Sequence, residues 1–229
     1  MRGLFTLLLY LVISGNTVIT RKSKFFISPR GNDTPSCGQR NEPCKTLDHV
    51  YELLLPSGFN STLLELDKGK YNLQKSLAFK KVKDFSIFGG YDGSDSNINV
   101  DITCEPNASL AFFFSENITL RGLKLLNCGG WQEASVSSPN GTIIKFKTAV
   151  HFDYCRNVWM HGIHILRSGG LGANFYEMSG TLEVANCVFE NNTAGSHNLS
   201  MQSTDYKENE QNIHYTIRGG GILDRKSVV

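Results

Sequence analysis

From residue 57 to 193 the apolar side chains fall on alternate positions in short runs, and each run is closed by Asn, Asp, Gly or Ser. Runs of this kind are strands with one buried face, separated by polar turns. They also repeat. The stretch NITLRGLKLLNCGG (117–130) returns as NVWMHGIHILRSGG (157–170), with Asn157, Gly162, Leu166, Gly169 and Gly170 in the places of Asn117, Gly122, Leu126, Gly129 and Gly130. Aligned on Gly89, Gly122 and Gly162, three segments place Leu77, Leu110 and Val150 in one column, and Phe79, Phe112 and Phe152 in the next but one. Asp84, Asn117 and Asn157 share a turn column. A fourth unit, FYEMSGTLEVANCVFENN, follows 24 residues after the third, and this offset stacks Tyr176 on Phe152 and Met178 on Tyr154. Frame spacings of 33, 40 and 24 suit a coil of about two dozen residues carrying insertions. Residues 131–144 look like one insertion.

The pattern predicts an all-β, right-handed parallel β-helix (solenoid) of about five rungs. No single coil buries its own apolar face, so Leu, Val and Phe stack on their equivalents in the next coil. Asn and Asp recur at a corner because their short side chains tolerate a left-handed backbone and bond locally. A β-sandwich is the alternative, in which repeats in parallel register would be coincidence. Cys104 and Cys128 stand one coil apart, 24 residues. Neighbouring strands lie about 4.8 Å apart, a Cα separation that suits a disulfide, so a Cys104–Cys128 bridge between coils is expected. Upstream, Leu47, Val50, Tyr51 and Leu54 follow helical spacing and Pro56 stops the run. A capping helix over Thr46–Leu55, with Thr46 as its N-cap, would cover the open end of the solenoid. The expected organisation is 1–20 signal peptide, 21–56 cap segment, 57–193 coils, and 194–229 a polar insertion with the start of a further, truncated coil. Residues 195–212 read as a polar excursion, and RGGGIL (218–223) as the beginning of that coil in what is expected to be a fragment of a longer protein.

Arg2, an apolar Leu4–Ile13 and the small or polar residues that follow have the form of a secretory signal peptide. A membrane anchor would need roughly 20 apolar residues, and Ser14, Gly15, Asn16 and Thr17 interrupt the run. No later stretch is long and apolar enough to span a bilayer. Seven N-x-S/T sites, at Asn32, Asn60, Asn107, Asn117, Asn140, Asn191 and Asn198, point to a glycosylated extracellular surface. Asn117, at a coil corner, is expected to be poorly available. Six cysteines fit the same oxidising compartment. Cys37 and Cys44 should close a small ring, whereas Cys155 and Cys187 are either buried thiols or a pair joined through an inserted loop. Zinc ligation is disfavoured, since C-x-x-C is missing and no paired histidines follow at finger spacing. The net charge of +2 names no partner.

The segment FFISPRGNDTPSCGQRNEPCKTLDHVYELL and the coils NITLRGLKLLNCGG and GTLEVANCVFENN resemble right-handed parallel β-helix proteins of the pectin-lyase-like superfamily, in an animal-type extracellular subgroup. The resemblance covers roughly residues 24–223 and implies an architecture, not an activity. That superfamily includes polysaccharide lyases, hydrolases and epimerases alongside adhesins and surface proteins. Paired carboxylates of the kind glycoside hydrolysis uses are not evident. The Asp-Asp and Gly-His-Gly of a polygalacturonase-like enzyme and the Asp-Pro-His-Glu of β-helix epimerases do not occur. Asp92, Asp95 and Asp101 read as a solvated turn rather than a calcium cluster.

One region carries candidate chemistry. Between 119 and 170 Arg121, Lys124, Lys145, Lys147, Arg156 and Arg167 stand against Glu133 and Asp153. In the repeat frame Arg121 stacks with His161 and Lys124 with His164, on positions facing away from the core. Trp131 and Trp159 lie beside them. Guanidinium and ammonium groups with an indole suit an acidic or sulfated polysaccharide, although an ordinary solvated face has the same composition. His161 and His164 lack a third metal ligand, and His151 or His161 with Arg156 is a minor candidate for a general base. The expected function is a secreted or cell-surface β-helix module, non-catalytic, with a structural or interaction role. Its expected partners are an acidic glycan or an extracellular protein, not nucleic acid, and it needs no metal and no cofactor. The alternatives are a polysaccharide-acting lyase or hydrolase and an ectodomain fragment of a larger membrane protein.

Overall fold

The computed structural model describes residues 23–56, 58–90, 99–129, 131–135, 143–192, 199–202 and 214–218; for 131–135, 143–146, 199–202 and 214–218 it describes the backbone. The expected signal peptide, the sequons at Asn140 and Asn198, the side chain of Trp131, and Asp92 and Asp95 lie outside this description.

The strands form three walls, and the chain visits them in rotation. Wall one pairs Ser23–Ile27, Thr62–Leu66, Lys83–Gly89, Glu116–Arg121, Arg156–His161, Ser179–Ala185 and His214–Arg218 in that order. Wall two pairs Gly69–Leu73, Val100–Cys104, Lys124–Leu126, His164–Leu166 and Val188–Glu190. Wall three pairs Leu77–Lys80, Leu110–Phe113, Ile143–Asp153, Leu171–Tyr176 and Leu199–Gln202. Every pairing within the walls is parallel, and the antiparallel Trp131–Ser135 is a hairpin arm on Ile143–Asp153. This is the expected all-β, right-handed parallel β-helix, wound in the sense that parallel crossovers take. The hairpin arm falls within the predicted insertion. Residues 199–202 and 214–218 each add a strand, so the further coil is under way before the glycines at 219–221.

Like stacks on like in the interior. Phe79, Phe112, Phe152 and Phe175 form one pile with ring centroids 5.0, 5.2 and 5.1 Å apart and planes within 14° of parallel. All four are buried. Ile87, Leu120, Met160 and Val184 make a second column, and Ile102, Leu125, Ile165 and Phe189 a third.

The fourth unit departs from the expected register. Phe175, not Tyr176, sits on Phe152, and Tyr176 pairs with Asp153. The cause is a bulge in wall one, where Arg156 pairs with Ser179 but Val158 pairs with Leu182. The extra step falls around Gly180, whose φ is +70°. An offset of 24 therefore holds only beyond the bulge, and Met178 faces the level of Cys155 rather than Tyr154.

The corner column is a hydrogen-bonded ladder. Asn117 Nδ2 donates to Asp84 Oδ1 (2.7 Å), and Asn157 Nδ2 donates to Asn117 Oδ1 (2.9 Å). Asn157 Oδ1 accepts the Thr181 N–H (3.0 Å). Asp84, Asn117 and Asn157 have φ of 56°, 58° and 55°, the left-handed region these residue types tolerate. At the next corner Gly89 and Gly122 approach so closely that a Cβ on Gly89 would lie 2.1 Å from the Gly122 carbonyl oxygen.

The helix Leu47–Leu54 caps the first coil and buries Leu47, Val50 and Leu54. Thr46 Oγ1 accepts the His49 N–H at 3.2 Å, as an N-cap should. Asp33 holds the cap in place by accepting from Lys45 N, Thr46 N and Thr46 Oγ1. The disulfides are Cys37–Cys44 and Cys104–Cys128, the second linking adjacent wall-two rungs at a Cα separation of 4.8 Å.

Candidate functional site

Arg121 ends one wall-one strand and Lys124 begins the next wall-two strand, with Gly122 and Leu123 turning the corner between them. One rung on, His161 and His164 flank Gly162 and Ile163 in the same way. The registers bring the four together. Arg121 pairs with His161, and Lys124 with His164. Leu120, Leu123, Leu125, Met160, Ile163 and Ile165 are buried, so the four polar side chains face outward. Trp159 lies two residues before His161 on the same outer face and is half-buried. The five candidate binding residues thus form one patch at the corner of walls one and two.

The patch is not uniformly basic. Asp101 pairs in register with Lys124 and approaches it to 3.8 Å, and Glu183 lies 3.9 Å from His161. These acids belong to the rungs on either side. Burial and the Lys124 charge hold the His164 imidazole below the usual histidine range, so it is neutral at physiological pH. The other cations of the sequence cluster are dispersed. Arg156 is exposed at the start of its strand and Arg167 is exposed just past the end of a wall-two strand.

A second polar group lies on the outer side of wall three. Phe152 points into the core, so His151 and Asp153 point away from it, yet they are only 2% and 1% exposed. His151 Nδ1 is 3.2 Å from Asn174 Nδ2, and His151 Nε2 is 3.9 Å from Asp153 Oδ2. Asp153 Oδ1 is buried and has no hydrogen-bond partner among the described residues. Phe113, outward-facing and fully buried, places its ring 5.6 Å from the imidazole. The sequence presents His151 and Asp153 as ordinary outward positions of a strand, and nothing in alternation signals that they are covered.

The remaining candidates are structural. Cys155 and Cys187 are free thiols, both buried, and do not pair. Burial pushes them up to about 12 and about 11, and each donates to backbone carbonyls, Cys155 to Phe112 O and Cys187 to Ala185 O. Asp33, Cys37 and His49 bring possible ligand atoms within 4.8 Å of one another. The Cys37 sulfur is bonded to Cys44 and the Asp33 oxygens hold the helix cap, so the trio does not suit a metal. No helix among the described residues is long and apolar enough to cross a membrane.

No family model matches the chain, and no curated protein matches it. Among solved structures the chain is similar to a rhamnogalacturonan lyase, with 12% sequence identity and a TM-score of 0.49. The match covers 78% of this chain and 43% of the other, so this chain spans less than half of that protein's length. The β-helix assignment rests on the parallel registers and not on this likeness.

Proposed function

We propose that the chain is a non-catalytic parallel β-helix module of a secreted or cell-surface protein, whose side wall offers a rigid face to an acidic glycan. The observation that supports this best is the use made of four carboxylates on walls one and two. Glu65 pairs with Lys24, Glu116 with Lys83, Asp101 with Lys124 and Glu183 with His161, each across neighbouring rungs. An acid–base pair for glycoside chemistry stands over a cleft with its pKa set apart from its partner's. These carboxylates instead tie one rung to the next. Two disulfides agree with an oxidising compartment.

The glycan face is the Arg121–Lys124–His161–His164 corner beside Trp159. At neutral pH Asp101 and Glu183 offset much of its charge, so binding there is weak and sensitive to salt. Acid strengthens it as the His164 imidazole gains a proton. Titration with polygalacturonate or a sulfated glycan at low salt tests the reading. Expected are salt-sensitive binding without turnover and loss of binding in R121A/K124A. Release of unsaturated or reducing-end products would overturn it.

A second reading, a polysaccharide-acting enzyme of the pectin-lyase-like kind, draws on His151, Asp153 and Asn174. An imidazole oriented by an amide, with a carboxylate 3.9 Å from its other nitrogen, has the residue types of a general base. Its burial counts against it, because substrate reaches this group only if the covering moves.

A further inference from the structure

Between the capping helix and the first coil lies a groove of about 470 Å³, lined by Tyr51, Leu55, Phe59, Asn60, Lys80 and Lys81 among others. Tyr51, half-buried, and Phe59, buried, lie at its floor between polar rims. Phe59 stacks on Tyr51 with centroids 5.2 Å apart, and the Tyr51 hydroxyl is spent on the Ala78 carbonyl, so Tyr51 presents carbon to the groove. Leu55, at the rim, is 53% exposed, more than any other large apolar side chain described. Asn60 stands on the same rim, exposed, within the sequon Asn60-Ser61-Thr62. Its Oδ1 accepts the Lys83 N–H at 2.8 Å, which fixes the orientation of the amide, while its Nδ2 has no partner among the described residues. The contrast with Asn117 is chemical: there Nδ2 and Oδ1 are both committed to the corner ladder.

We propose that Asn60 carries an N-linked glycan and that its first sugars lie in this groove, covering Leu55 and the open edge of Tyr51. The inference rests on the extracellular reading above. In the attachment step Nδ2 bonds to the anomeric carbon of a lipid-linked oligosaccharide diphosphate supplied by the secretory apparatus. The bond from that carbon to the phosphate oxygen breaks, the lipid diphosphate leaves, and one Nδ2 proton passes to a base of the transferring enzyme. No redox change occurs. The amide keeps one N–H and its Oδ1, so the bond from Lys83 survives. A pyranose ring has a C–H face that removes apolar surface from water when it lies on leucine or an aromatic edge. Lys80 and Lys81 stand beside it as donors to sugar oxygens. Because the sugar is tethered at the rim, its local concentration is high and weak contacts suffice.

The test uses the full chain secreted from a eukaryotic host. Glycopeptide mass spectrometry reads each sequon, and thermal unfolding compares wild type, wild type trimmed to a single sugar, and N60D, which keeps an acceptor for Lys83 but no attachment point. Expected are sugar at Asn60 and Asn107 and none at Asn117. N60D should unfold about 2–4 °C below wild type, the shift a modest local contact gives a domain of this size, and the trimmed protein should stay near wild type. Replacing Leu55 with Asp should abolish the difference between glycosylated protein and N60D. Bare Asn60 beside modified Asn107, or a modified Asn60 with no difference in Tm from N60D, would overturn the proposal alone. A secreted protein with no sugar on any sequon would contradict the extracellular reading as well.

Discussion

Asn117 Nδ2 donates to Asp84 Oδ1 across 2.7 Å, joining two coils at a point where both backbones are left-handed. The same amide accepts from Asn157, so one side chain serves three rungs. N117A loses both bonds and leaves alanine in a left-handed backbone that Asn tolerates better through its local side-chain bonding. With the bonds at about 1 kcal/mol each, urea unfolding should show a loss of about 2 kcal/mol or more. N117D should behave differently with pH. Its carboxylate would face Asp84, so the folded state takes up a proton more readily than the unfolded one. Stability then rises as pH falls through the carboxylate range. A pH-independent loss in N117D would contradict the ladder.

The phenylalanine pile makes a sharper demand on size than on chemistry. Phe112 is buried between Phe79 and Phe152. F112A should cost about 3–5 kcal/mol, while F112L, which keeps most of the volume, should cost less than about 1.5 kcal/mol. Equal losses in the two variants would mean that Phe112 is not enclosed.

Cys104–Cys128 closes a loop of 24 residues between rungs. Removing it in the double variant C104A/C128A should lower unfolding free energy by about 3 kcal/mol. An unchanged urea midpoint would show that the rungs do not depend on the bridge.

Cys155 and Cys187 offer a probe of the interior. Only thiolate reacts, and a thiol at about 12 is ionised to roughly one part in ten thousand at pH 8. Native protein should resist a thiol reagent at pH 8, and both cysteines should label once urea unfolds the chain. Labelling of either in the folded state would contradict its burial.

The corner patch predicts acid-strengthened glycan binding. Burial, and then the Lys124 charge, keep His164 neutral at physiological pH, so its charge arrives only as pH falls below the usual histidine range. H164A should leave weak binding at pH 7 unchanged and reduce the gain seen at acid pH. The readout is the slope of log affinity against pH; an identical slope in H164A would remove His164 from the site.

Columns of inward residues were legible in the amino-acid order because each rung repeats them: Phe79, Phe112 and Phe152 carry the same side chain, and the helix cap has both its Thr46 and its spacing. The register of the fourth rung was not, since one glycine, Gly180, adds a step that alternation alone does not mark. The corner patch was legible as cations. Its acids were hidden because Asp101 and Glu183 come from rungs some two dozen residues away and join the patch only through stacking. The burial of His151 and Asp153 was equally hidden: strand alternation says which side a residue faces, and not what covers that side.

The stacking itself is tested most directly across the longest interval between coils, where Thr119 and Trp159, 40 residues apart, are register partners. Parallel neighbours lie about 4.8 Å apart, within disulfide reach, so T119C/W159C should form an intramolecular disulfide on mild oxidation. The control T119C/R156C, displaced about 10 Å along the strand, should not. A bridge in the first pair alone is the predicted result; failure of that pair, or equal bridging in both, would contradict the stacking of these coils along one axis.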